Sequence, residues 1–209
     1  MGSNFSKNLV YDGCRLTRYD AHCGVVNGKI INSEIAMLTL TGGGNMEIVN
    51  TKFYMLGTLI NMRSDYGCTW DGTITLKDCV ALDPCDRGAP NFIVGVASAN
   101  HWFGYPTSFP NIVIDNLKIE ADKKSITFVN DYKPHPDVPY EFRSVCDPEI
   151  GNEGGICTDG KVNKNVYKAP EKIRVINNEN NGYEIELYDV PFFKDSVTEG
   201  IKRIPYESN

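Results

Sequence analysis

The motif Arg-x-Asp occurs twice, as Arg18-Tyr19-Asp20 and Arg63-Ser64-Asp65. Two carboxylates flanked by guanidinium groups can protonate a leaving oxygen and activate a water, provided that the two acids are held at the right separation. Inverting glycosidases keep theirs roughly 6.5 to 9.5 Å apart to leave room for the water. Asp20 and Asp65 are therefore the candidate acid and base. Arg18 and Arg63 would hold an acidic sugar such as a uronate, because a guanidinium grips a carboxylate as a two-pronged fork. His22 follows Asp20 by two residues and is a third candidate catalytic group, since imidazole exchanges protons near neutral pH. With His22 or an arginine as the base, the same cluster would remove a proton beside a uronate carboxylate and cleave by elimination. The residues leave hydrolase and lyase both open. Tyr66, Trp70, His101 and Trp102 complete the candidate substrate-binding set, since flat rings stack on sugar faces and Phe103 and Tyr105 follow in the same loop. The bland reading of the charges is a solvated ion-pair ladder with little energetic weight. For the aromatics it is a cover over the protein's flank.

Such a site needs elements that bring residues 45 positions apart onto one face. Five stretches supply them by sharing a short pattern of apolar residue, spacer, Asn/Asp/Gly, two variable positions and usually a further apolar residue. They begin at Tyr11, Ile30, Ile48, Leu76 and Ile114, at steps of 19, 18, 28 and 38 residues. A unit of about 20 residues with loops inserted between copies is the mark of a solenoid whose coils stack. Asn32, Asn50, Asp78 and Asn116 fall in one column, and these residue types tolerate the left-handed backbone of a tight corner. Asn27-Gly28, Gly42-Gly43-Gly44-Asn45 and Asp71-Gly72 read as turns between strands. Aligning Thr17-Arg18-Tyr19-Asp20 with Leu38-Thr39-Leu40-Thr41 and Met62-Arg63-Ser64-Asp65 points Leu38 and Leu40 inward. Thr39, Thr41 and the charged residues then point outward. With coils about 4.8 Å apart, Asp20 and Asp65 would sit roughly 9 to 10 Å from each other across Thr41.

These repeats resemble the pectate-lyase-like superfamily of right-handed parallel β-helices, which includes polygalacturonases, pectate lyases and many phage tailspikes. The resemblance covers about residues 8–130, with a return at 172–190. The segments Arg18 to His22 and Arg63 to Gly67 are similar to motifs of uncharacterised bacterial β-helix proteins. It implies an all-β fold, a right-handed parallel β-helix with a loop-rich C-terminal part, and a polysaccharide or oligosaccharide as partner. Extracellular, cell-surface or virion-surface placement goes with it. The Asn-Thr-Asp, Asp-Asp, Gly-His-Gly and Arg-Ile-Lys motifs of polygalacturonases and the Trp-Ile-Asp-His signature of pectate lyases are absent, so no catalytic residue carries over.

Composition agrees with a β-rich globular chain: 209 residues, 41% apolar, 19 glycines and 11 prolines. A net charge of -6 without a basic run argues against a nucleic-acid partner. No stretch of 18 apolar residues exists to span a membrane as a helix. The start, residues 1–7, lacks the apolar core of a signal peptide and reads as the opening of an internal fragment. Coils occupy 8–130, a Pro/Gly/Asn-rich excursion 131–171, and a further coil with a tail 172–209, where Val175-Ile176-Asn177 offers a degenerate coil start. Seven cysteines without a Cys-x-x-Cys pair argue against zinc. Cys14 and Cys79 share a repeat position and read as apolar filler, whereas Cys146 and Cys157 are the pair to expect if a disulfide forms. No cofactor motif is present. Asp83, Asp86, Asp131 and Asp137 lack the spacing of a calcium loop, although calcium remains open. Three functions therefore stand beside one another: an enzyme acting on acidic polysaccharide, a non-catalytic carbohydrate-binding or structural segment of a bacterial or phage surface protein (trimeric if tailspike-like), or a scaffold within a larger enzyme.

Overall fold

The computed structural model describes residues 2–3, 5–21, 24–54, 58–62, 70–82, 92–96, 107–120, 124–129, 157–158, 161–162, 167–189 and 193–205. Two parallel sheets run the length of the molecule. The first stacks Lys7–Asp12, Val25–Ile31, Gly42–Val49, Trp70–Leu82, Asn111–Glu120, Lys172–Ile176 and Val197–Glu199. A side ladder of Arg15–Leu16, Glu34–Ile35 and Lys52–Tyr54 joins the far end of Trp70–Leu82. The second sheet stacks Gly2–Ser3, Tyr19–Ala21, Leu38–Leu40, Thr58–Met62, Phe92–Val96, Ser125–Val129, Glu184–Tyr188 and Lys202–Ile204. The chain visits the two sheets alternately and every ladder within them is parallel, so the fold is an all-β parallel solenoid. Among the described residues the helical content is one three-residue 3-10 turn, Glu179–Asn181.

Stacking is specified by columns of like residues. Ile30, Ile48, Leu76, Ile114 and Val175 lie in register one above the other, and all are buried. Burying a side chain of this size contributes about 1.5 to 3 kcal/mol, so the column binds each coil to the next without any cross-link. A one-residue slip would turn the whole set outward, which is why the register is strict.

The corner leaving the first sheet is fixed by backbone conformation. Gly13, Asn32, Asn50, Asp78, Asn116 and Asn177 all have φ between 48° and 63°. Asn and Asp accept this left-handed geometry, and their side chains join the coils: Asn50 Nδ2 donates to Asn32 Oδ1 at 2.8 Å and Asn116 Nδ2 to Asp78 Oδ1 at 2.8 Å. The residue that follows bonds back around the corner. Ser33 Oγ and Thr51 Oγ1 donate to Ile31 O and Val49 O at 2.7 and 3.0 Å, and the Cys14 and Cys79 thiols do the same to Asp12 O and Lys77 O at longer range. Cys79 is buried filler as expected, and burial pushes its thiol up to about 11. Cys14 is only half-buried.

The glycine-rich segments are not turns. Asn27-Gly28, Gly42 to Asn45 and Asp71-Gly72 lie inside the strands Val25–Ile31, Gly42–Val49 and Trp70–Leu82. Successive backbones approach so closely there that a Cβ on Gly42 would lie 2.0 Å from Val25 O, and one on Gly72 2.1 Å from Gly44 O. Both glycines have φ of 150°, so conformation and space select the same residue.

Candidate functional site

Asp20 lies at the centre of Tyr19–Ala21 in the second sheet. Tyr19 faces the interior, where its ring meets the edge of Tyr11 with centroids 5.5 Å apart, and alternation turns Asp20 to the opposite surface. Arg18, just before the strand, donates from Nη2 to Asp20 Oδ2 at 2.5 Å. The Arg18 side chain keeps 46% of its exposure, whereas Asp20 as a residue keeps 9%. The guanidinium thus shields a mostly buried carboxylate on its wetter side.

Register corrects the expected column. Tyr19 pairs with Leu38 and Asp20 with Thr39, while Thr39 pairs in turn with Asn61. Asp20 therefore stacks on Thr39 and Asn61, two positions away from the alignment through Thr41 toward Asp65. The corner sets this offset. Six residues separate the left-handed residue from its strand partner in both early coils, Gly13 to Tyr19 and Asn32 to Leu38. In the third coil ten separate Asn50 from Ile60, the residue in line with Leu38. Matching the Arg-x-Asp motifs overrode that count.

Thr39 and Thr41 do share the surface of Asp20, but it is not open to solvent. Thr39 and Thr41 are each 1% exposed and Leu38 and Leu40 are buried too, so both surfaces of the sheet are closed off along this strand. Parallel sheets are commonly covered on both sides. Among the described residues the Thr39 and Thr41 Oγ1 atoms find no hydrogen-bond partner, and neither does the hydroxyl of the interior Tyr19. A buried hydroxyl left in this state costs about 1 to 3 kcal/mol, and the great majority in native proteins are satisfied by protein, water or ligand. Asp20, Thr39, Thr41 and Asn61 thus place a carboxylate, two hydroxyls and a carboxamide on one surface over three coils.

Trp70 is not a sugar-stacking platform. It is completely buried, and its indole N–H donates to Gly44 O at 3.0 Å, locking the close approach of the glycine-rich strands. His22, Arg63, Asp65, Tyr66, His101 and Trp102 lie outside the described residues, as do Asp83, Asp86, Asp131, Asp137 and Cys146. Of the sequence-derived set, the structure brings together Arg18 and Asp20. Thr39 and Thr41 join them on the surface expected from the strict alternation of Leu38-Thr39-Leu40-Thr41, and the structure adds Asn61, which carried no signal in the sequence.

Elsewhere the charges form solvated ladders of the bland kind. Arg15 pairs with Glu34 at 2.6 Å, Lys29 with Glu47 at 3.1 Å and Arg174 with Glu199 at 2.6 Å, all between stacked coils and largely exposed. Exposed pairs of this sort contribute little. Asp20 differs from them by its burial. Among the described residues, no group of three or more His, Cys, Asp or Glu side chains could hold a metal ion, and no helix is long and apolar enough to cross a membrane.

In comparisons with known proteins, no protein-family model matches the chain, and no curated protein and no solved structure is significantly similar to it.

Proposed function

We propose that this solenoid is a carbohydrate-binding segment of a surface protein, of the kind that the resemblance to pectate-lyase-like β-helices implies. Its binding site is the polar side of the second sheet, where the half-exposed Asn61 borders the buried Asp20, Thr39 and Thr41. The observation that carries this reading is the pair of Thr hydroxyls that are buried and unpartnered beside a mostly buried carboxylate. Sugar hydroxyls both donate and accept, so a sugar entering beside the half-exposed Asn61 would offer partners to the buried Thr39 and Thr41 hydroxyls. Arg18 already donates to Asp20, which favours a hydroxyl-rich sugar over a uronate at this end of the surface. Hydrolysis by an inverting pair would need a second carboxylate near Asp20, with Asp65 as the candidate from the sequence.

The test is affinity electrophoresis and calorimetry with neutral and uronate-containing polysaccharides, together with assays for reducing ends and unsaturated products. Retarded migration by a neutral glycan, weakened several-fold in Thr39→Val and Asp20→Asn without turnover, is the expected result. Turnover lost in Asp20→Asn would establish an enzyme instead. No binding to any glycan would overturn both readings.

A further inference from the structure

A hollow among the described residues lies at the other end of the molecule, remote from Asp20 in the stacking order, and it has a clear structural origin. The interior column that reads Ile30, Ile48, Leu76, Ile114 and Val175 reaches Gly200 in the last coil, because Arg174 pairs with Glu199 one position earlier. Gly200 has φ of 67°, and a Cβ there would lie 1.9 Å from Val175 O, so no side chain can continue the column. The adjoining corner is also uneven. The sixth coil spends residues 177–183 between its two strands, including the 3-10 turn, whereas the seventh crosses with Gly200 and Ile201 alone. The long corner overhangs the short one and leaves a hollow of about 430 Å³.

Val175, Tyr183, Ile185 and Ile201 provide its apolar lining, and Glu179, Glu184 and Lys202 provide charge. Pockets of this size that combine apolar walls with a few polar groups are typical small-ligand sites. Tyr183 is locked in place by donating its hydroxyl to Leu117 O at 2.6 Å, so that wall is rigid. The charges are unbalanced. Lys202 Nζ is shared between Glu184 Oε2 at 2.8 Å and Glu186 Oε1 at 3.3 Å, while the exposed Glu179 makes no ion pair among the described residues. Two carboxylates and one ammonium line the hollow, and that ammonium is shared with Glu186 outside it.

We propose that this hollow binds a small primary amine whose ammonium group is carried on an apolar stem. The stem occupies the vacated column beneath Val175, and the ammonium is received by Glu179 and Glu184.

The probe is hexylamine, titrated by calorimetry and by amide chemical shifts into the whole chain at neutral pH, with hexanol and hexanoate as controls. One added charge interaction of about 1 kcal/mol predicts hexylamine binding ~5-fold tighter than hexanol, with hexanoate weaker than both. Glu179→Gln should erase most of that preference while leaving hexanol binding unchanged. Val175→Phe, which fills the hollow, should abolish binding of both; if that variant fails to fold, Ile201→Phe makes the same test from the opposite wall. Equal affinity for amine and alcohol, absence of saturable hexylamine binding, or undiminished binding in a folded filled variant would each overturn the proposal.

Discussion

Replacing Thr39 or Thr41 by Val is the sharpest probe of the candidate site, because the two residues are nearly isosteric and differ chiefly in the hydroxyl. If the Oγ1 atoms are buried without a partner, as the structure shows them, the wild-type chain bears about 1 to 3 kcal/mol for each. Thr39→Val and Thr41→Val should therefore each stabilise the ligand-free protein by roughly that amount. For a chain of this length, each kcal/mol raises Tm by about 2 to 4 °C. The two sites lie two residues apart on one strand surface, so their effects need not add. Urea unfolding with an unchanged slope gives the global value, and hydrogen exchange of the Leu38–Leu40 amides gives the local one. Thr39→Ser is the control: it keeps the hydroxyl, removes a buried methyl, and should lose stability. A loss of about 0.5 to 1.5 kcal/mol in the Val variants would refute the reasoning, because it would mean that the hydroxyls are already paired in solution. The variants that gain stability should also weaken glycan binding, so stability and affinity must move in opposite directions.

Three further outcomes follow from the architecture. Gly42→Ala should cost more than 3 kcal/mol or so by thermal unfolding, since its Cβ would collide with the Val25 carbonyl at a backbone angle that side chains avoid. Asn50→Gly should cost less than Asn50→Ala, by about 1 kcal/mol, because both lose the bond to Asn32 but only alanine is strained at φ of 48°; equal losses would mean that the bond, and not the backbone, sets the corner. Burial pushes the Tyr183 phenol up to about 12, so the unfolded chain deprotonates first. Its contribution is present below about pH 10, the ordinary tyrosine value, and is lost as pH rises toward 12. Tyr183→Phe should flatten that alkaline decline in stability.

The corner column was legible because only Asn, Asp and Gly sit easily in a left-handed conformation, so chemistry and position coincide at Asn32, Asn50, Asp78 and Asn116. Strand alternation likewise placed Asp20, Thr39 and Thr41 on one surface. The pairing across coils was not legible. The residues that align in the second sheet come six, six and then ten positions after their corners, and nothing in the composition of those linkers says which strand residues will meet. Gly42 and Gly72 are ambiguous in the sequence, because glycine serves both turns and close backbone contact and the two uses look alike there. Trp70 has the ambivalence of every large aromatic, equally able to stack on a ligand or to close a core, and its bond to Gly44 O decides the matter. Unpartnered hydroxyls belong to three-dimensional arrangement alone.

The left-handed corner column also separates what is fixed in this chain from what is free. From Gly13 the corners recur after 19, 18, 28, 38 and 61 residues, yet Ile48, Leu76, Ile114 and Val175 still meet in line. Each coil takes its register from the corner and the column, and extra length is absorbed elsewhere. The scaffold therefore behaves as a pegboard: a new loop can be hung between corners without re-threading the stack. In such a chain, recognition of a new partner can be gained by insertion, while the frame that presents it stays the same.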